Sequence, residues 1–202
     1  MAKQNIIIIK YNAGNIRSVN NALLRLNQNA EISADPEKIR KADKVIFPGV
    51  GEASTTMKYL KDTNLAEVIV NLKQPTLGIC LGMQLMGSYS QEGNSKCLGI
   101  FDEQIKKFVL PNPNTKNIKI PHMGWNQIFD LKGDIFDSSM EGQYVYFVHS
   151  YYVAKGLHTA ATTDYILNYS SALQRDNFFA TQFHPEKSGA VGQRILEHFL
   201  NL

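Results

Sequence analysis

The sequence predicts an α/β protein with a mostly parallel open sheet, helices on both faces, and an antiparallel extension. Three observations carry this. The first ninety residues alternate strand and helix patterns, which is the signature of a parallel sheet. Their strand segments are unbroken apolar runs rather than alternating ones, as in strands covered on both faces. After Gly87 the helical period disappears, and short strand patterns follow one another across turn residues.

Ile6 to Ile9 is four isoleucines in a row, a strand buried on both faces. Lys10 to Asn15 is a polar, glycine-containing loop. Ile16, Val19, Leu23 and Leu26 recur at steps of three and four, so residues 16–28 read as an amphipathic helix. Ala30 to Ser33 is a short strand, and Asp35-Pro36 turns the chain into a helix over Glu37 to Lys41. Lys44 to Phe47 is a second apolar strand, ending at Pro48-Gly49-Val50-Gly51. Residues 52–61 and 64–73 read as helical, and a third strand runs from Pro75 through Ile79. In the second half, Cys97 to Phe101, Gln104 to Val109, Ile118 to Ile120, Trp125 to Phe129, Gln143 to Val148, Tyr151 to Ala154 and Thr159 to Thr163 have the look of a meander. Leu167 to Gln174 and Phe178 to Gln182 are further strands. Ser188 is placed to cap a last helix whose stripe is Val191, Ile195, Leu196, Phe199 and Leu200. No linker composition interrupts the 202 residues, so one domain is expected.

Composition removes several function classes. The net charge of +3 comes from 21 basic and 18 acidic side chains, with no dense Lys/Arg block, which argues against nucleic acid. No apolar run approaches the roughly 18 residues of a membrane span, and the start lacks a signal pattern. Two cysteines, Cys80 and Cys97, do not make a disulfide framework and suit a reducing cytoplasm. No His, Cys or carboxylate spacing matches a metal site.

Gly78-x-Cys80-x-Gly82 follows the third strand and opens a helix-competent run. It is the thiol form of the turn that presents a nucleophile between strand and helix. So sharp a turn leaves no room for neighbouring Cβ atoms, and a thiol at a helix start is biased toward thiolate. Taken alone, the five residues suit a buried structural cysteine equally well. A thiol nucleophile needs a base, an orienting group and oxyanion donors. His184 follows an apolar strand and so lies at a carboxyl-terminal strand end, where sites gather in open α/β sheets. Glu186 stands two residues on, across the stiff Pro185, and can accept from the imidazole. Gly49, Val50 and Gly51 end the second strand. Alone they would be an ordinary βα turn; beside Cys80 their N–H groups, with that of Leu81, can serve an oxyanion.

Three motifs together resemble a known family. Gly78-Ile79-Cys80-Leu81-Gly82-Met83-Gln84, Pro48-Gly49-Val50-Gly51 and Gln182-Phe183-His184-Pro185-Glu186-Lys187-Ser188 are similar to those of class I (triad) glutamine amidotransferases, in the same order and near the same spacing. Within the family, Tyr11-x-x-Gly14-Asn15, Pro121-His122-Met123-Gly124-Trp125-Asn126 and Tyr146-Phe147-Val148-His149-Ser150-Tyr151 resemble the glutaminase subunits of imidazole glycerol phosphate synthases. Lys10 and Asn12 depart from the pattern, which usually shows Asp and Gly there.

The resemblance covers nearly the whole chain. It implies a flavodoxin-like sheet and hydrolysis of L-glutamine without a cofactor. It also implies a heterodimer with a cyclase subunit built as a (β/α)8 barrel, which would take up the ammonia in histidine biosynthesis. Cys80, His184 and Glu186 would be the catalytic triad. Gln84, with the His149, Ser150 and Tyr151 segment, would bind the amino-acid end of glutamine; the bland alternative for Gln84 is a helix residue facing solvent. Asn12, Asn15, His122, Trp125 and Asn126 are the expected docking face, although Trp125 could also fill a core.

Overall fold

The computed structural model describes residues 4–11, 15–112 and 118–202. In the first half, strand and helix alternate through β1 (Ile6–Ile9), α1 (Ile16–Arg25), β2 (Ala30–Ser33), α2 (Pro36–Arg40), β3 (Lys44–Gly49), α3 (Ala53–Asp62), α4 (Leu65–Val70), β4 (Thr76–Cys80) and α5 (Leu81–Met86). The strands lie in the order β2-β1-β3-β4, all parallel. Alternate residues of each strand feed opposite cores. Ile6, Ile8, Ile46, Leu77 and Ile79 pack with Val19 and Leu23 of α1. Ile7, Ile9, Val45 and Phe47 pack with α2 to α5. Both faces are covered, which is why these strands read as unbroken apolar runs.

The second half continues the same sheet. It begins with β5 (Tyr89–Ser90), β6 (Ser95–Lys96) and β7 (Gln104–Lys107). A hairpin of β8 (His122–Gln127) and β9 (Tyr144–His149) forms a separate two-stranded sheet. Then come β10 (Tyr151–Val153), β11 (Thr159–Tyr165), β12 (Leu167–Arg175), β13 (Phe178–Thr181) and α6 (Gly189–Leu200). β13 pairs parallel with β4, and β12 runs antiparallel to β13. From there β10, β7, β5 and β6 extend the edge, while β11 pairs with β12.

Four sequence expectations differ from the structure. The first helix stops at Arg25, because Asn27 takes a left-handed φ of 56°. Cys97 to Phe101 is not a strand. Its N–H groups bond to the carbonyls of Ser88, Leu85, Gly87 and Met86, closing the open end of α5, and Gly99 turns at a φ of 69°. Ile118 to Ile120 is not a strand either; the Tyr165 hydroxyl brackets Lys119 there, donating to its carbonyl at 2.6 Å and accepting from its N–H at 3.3 Å. Ser188 precedes α6 without capping it. Its hydroxyl donates to the His184 carbonyl at 2.7 Å and accepts from the Tyr146 N–H at 3.0 Å.

Candidate active site

The carboxyl ends of β3, β4 and β13 come together through backbone pairing. Gly49 stands opposite Cys80, and Thr181 opposite Ile79. The chain past Thr181 therefore passes beside the cysteine. Cys80 itself has φ 54° and ψ −107°, a conformation that L-residues avoid. The glycines of the motif keep ordinary φ values and serve close approach instead. A Cβ on Gly82 would overlap the carbonyl oxygen of Phe47, and one on Gly78 would press on Met86 and the start of α5. The strain thus sits on Cys80, held there between β3 and α5.

His184 is clamped at both backbone groups: its N–H donates to the Tyr146 carbonyl at 2.9 Å, and Ser188 holds its carbonyl. Its Nδ1 lies 2.8 Å from Glu186 Oε1, and both side chains are buried. The Asn15 amide donates to the same carboxylate oxygen and lies 3.3 Å from Nδ1. Nε2 is therefore the nitrogen left for the thiol. It is buried and makes no aligned hydrogen bond with a described residue. Such bonds often align only once substrate is bound. Burial alone would lower the imidazole's affinity for its proton; the nearby Cys80 and the bond to Glu186 overcome it and push the pKa up to about 10.

Cys80 opens onto a cleft of about 290 Å³. Val50, Gly51, Leu81, His149, Ser150 and Tyr151 line it. Gly49 lies within β3, where a Cβ would overlap the Tyr11 hydroxyl. That hydroxyl donates to the Pro48 carbonyl and anchors the loop. Burial, with Cys80 nearby, keeps the phenol protonated far above the usual range.

Gln84 lies on the cleft and is buried, so it does not face solvent. Its Nε2 donates to the Tyr151 carbonyl at 3.1 Å and to Gln182 Oε1 at 2.9 Å.

Sequence reasoning missed Glu92. It lines the same cleft from a 3-10 turn (Glu92–Asn94) and accepts from the Ala53 N–H at 2.8 Å. Burial raises its pKa; the Ala53 bond works against this, and neighbouring Glu52 adds to it. A lone glutamate in a polar turn carries no periodic or motif signal. Only the return of β5 to the sheet brings it to the cleft.

The residues expected to face a partner divide. Trp125 is 56% exposed on the outer side of β8, beside Met123 at 61%, so it is not core filler. His122 is a correction. It points inward and is only 3% exposed, because side chains alternate along the strand. Its Nδ1 lies 3.2 Å from both His149 Nε2 and the Tyr169 hydroxyl, and its ring stacks on Tyr165. Burial lowers the pKa of His122 to about 4; burial likewise takes His149 to about 3, despite its bond to the Tyr151 carbonyl. Asn126 is half-buried and spans His122 Nε2 and the Asp164 carbonyl. Asn15 is committed to the triad as described, and Asn12 lies outside the described residues. Among the described residues, no group of His, Cys, Asp and Glu is placed to hold a metal ion, and no helix is long and apolar enough to cross a membrane.

The family described as "Glutamine amidotransferase class-I" matches residues 5–202. The chain is 57% identical over 197 residues to the "Imidazole glycerol phosphate synthase subunit HisH" of Bacteroides fragilis, covering 98% of this chain and 99% of the relative. It is 43% identical to the protein of the same description from Shewanella loihica, covering 100% and 92%. Among solved structures, PurLQS from Thermotoga maritima superposes with a TM-score of 0.71 at 15% identity, covering 98% of each chain, which speaks to the fold.

Proposed function

The chain belongs to the class I glutamine amidotransferase family, and from that premise we propose that it is the glutaminase subunit of an imidazole glycerol phosphate synthase. It would work in the cytoplasm as a heterodimer with a (β/α)8-barrel cyclase. The observation that carries the reading is the strained Cys80 at one end of a cleft with the Glu92 carboxylate on its wall, backed by His184 and Glu186. A cleft with a nucleophile and a carboxylate suits a substrate carrying an amide at one end and an ammonium group at the other. L-glutamine is such a molecule. The full-length similarity to proteins described as HisH supports the pathway and the partner.

The chemistry follows from the positions. Cys80 Sγ attacks the side-chain amide carbon as a thiolate paired with the protonated His184. The oxyanion takes N–H bonds from Leu81 and the Gly49–Gly51 loop, each worth about 2.7–4 kcal/mol in the transition state. His184 returns the proton to the departing nitrogen, and ammonia leaves a glutamyl thioester. Water then loses a proton to His184 as it attacks the thioester, and glutamate departs as the sulfur leaves as thiolate beside the imidazolium. Glu186 holds the imidazole in place and stabilises its cation throughout. Glu92 and Gln84 Oε1 take the substrate's ammonium, and the Ser150–Tyr151 segment its carboxylate. Ammonia released in water would become ammonium, so a cyclase sealed over the cleft preserves the nucleophile.

The test is glutamate production by the chain alone and with a candidate cyclase. The expected result is activity that rises with the cyclase and disappears in Cys80→Ala. Activity retained in Cys80→Ala would overturn the mechanism. An active glutaminase that neither binds nor serves the cyclase would point to a different ammonia acceptor.

A further inference from the structure

Gln182 is fully buried, two residues before His184, and its side chain has no part in the triad. Its backbone N–H donates to Ser171, so the position is fixed by β12. Its Nε2 lies 3.8 Å from Cys80 Sγ, and its Oε1 accepts from Gln84.

An amide can be turned end for end, so the order of atoms must be argued. The Tyr151 carbonyl settles it, because a backbone carbonyl only accepts. It already takes His149 Nδ1 at 2.7 Å, so the Gln84 atom 3.1 Å away must be nitrogen. That nitrogen's second proton meets Gln182 at 2.9 Å, so the facing atom there must be oxygen. The remaining end of Gln182, an N–H, is then turned toward the sulfur. A thiol is a poor acceptor for it, whereas a thiolate is a good one.

We propose that Gln182 is a hydrogen-bond donor to the nucleophile, oriented by Gln84, so that one pair of amides joins the cleft to the sulfur. Both protons of Gln84 Nε2 are used, which leaves its Oε1 to the cleft that Gln84 lines. A cation bound to that oxygen polarises the Gln84 N–H, which tightens the bond to Gln182 and then the bond to sulfur. This linkage to substrate rests on the glutaminase reading above. The bond to sulfur does not.

The experiment is carboxamidomethylation of Cys80 in the intact chain by iodoacetamide across pH. Mass spectrometry of the Cys80 peptide keeps Cys97 separate. In Gln182→Met, which keeps length and loses the donor, the profile moves to higher pH and the rate at pH 7 falls on the order of tenfold. In Gln84→Met the same displacement appears, smaller, although Gln84 does not touch the sulfur. Circular dichroism identifies folded variants, and Gln182→Leu takes the place of Gln182→Met if the latter fails to fold. A parental profile in folded Gln182→Met overturns the proposal, and one in Gln84→Met overturns the orienting role. Glutaminase assays of the parent run alongside. Their failure would sink the glutaminase reading and leave the alkylation result standing.

Discussion

His184 is pulled two ways. Burial disfavours its charge, and the nearby Cys80 and the bond to Glu186 favour it more strongly, leaving the pKa at about 10 against an unfolded value near 6.5. A folded value above the unfolded one stabilises the protein fully below about pH 6.5, and that stabilisation drains away as pH rises toward about 10. Glu186→Gln keeps an acceptor for Nδ1 but removes the negative charge that favours the imidazolium. The variant should therefore lose most stability near pH 6.5 and progressively less toward pH 10, read as the gap between urea midpoints. A gap that is flat with pH would show that the pair does not hold the imidazole charged. Glu92 makes a different prediction. If its carboxylate receives the substrate's ammonium, Glu92→Gln raises KM for glutamine by roughly tenfold or more, as expected for a charged hydrogen bond, with a smaller change in kcat. An unchanged KM would remove Glu92 from the substrate site. His184 could be picked out from its apolar strand and the neighbouring Pro185-Glu186. Glu92 could not, because nothing within a few residues distinguishes it from a solvated glutamate.

The elbow stores strain in one residue. Cys80 at φ 54° is held by β4 pairing on one side and α5 on the other. Glycine accepts that conformation and alanine does not. Cys80→Gly should thus be more stable than Cys80→Ala by about 1 kcal/mol in urea unfolding, after the entropy of the glycine is charged against it. Both should be inactive. Equal stabilities would mean that the turn relaxes and the strain is small. The Gly-x-Cys-x-Gly pattern was readable as a turn because it is local. The left-handed φ, however, falls on the cysteine rather than on a glycine. The missed ends of elements have a shared cause. Cys97 to Phe101 has strand composition, yet its N–H groups are worth more to the open carbonyls of α5 than to a ladder.

Across the whole molecule, the β8–β9 hairpin lies apart from the main sheet and divides its side chains by face. His122 and Asn126 turn in toward His149 and Tyr169, while Met123 and Trp125 stand in solvent. The Trp125 ring meets Tyr146 edge-on at 6.0 Å, and Lys187, just past the triad, lies over that same Tyr146 ring. An exposed aromatic of this kind suits a partner surface. Trp125→Ala should weaken cyclase binding at least tenfold by calorimetry, with the free chain's stability changed by about 0.5 kcal/mol or less. Undiminished affinity would move the docking face elsewhere.

What the sequence alone determined was everything that depends on neighbours along the chain. Buried parallel strands announce themselves as apolar runs, helices by their stripe, and the nucleophile turn by the small residues its crowding demands. What only the tertiary structure decided was which distant groups meet. The pairing of β13 with β4 brings His184 to Cys80, the edge strands bring Glu92 to the cleft, and the pleat of β8 turns His122 inward while leaving Trp125 outside. The physical reason is that backbone pairing sets these distances, and a one-residue change of register would face every side chain the other way.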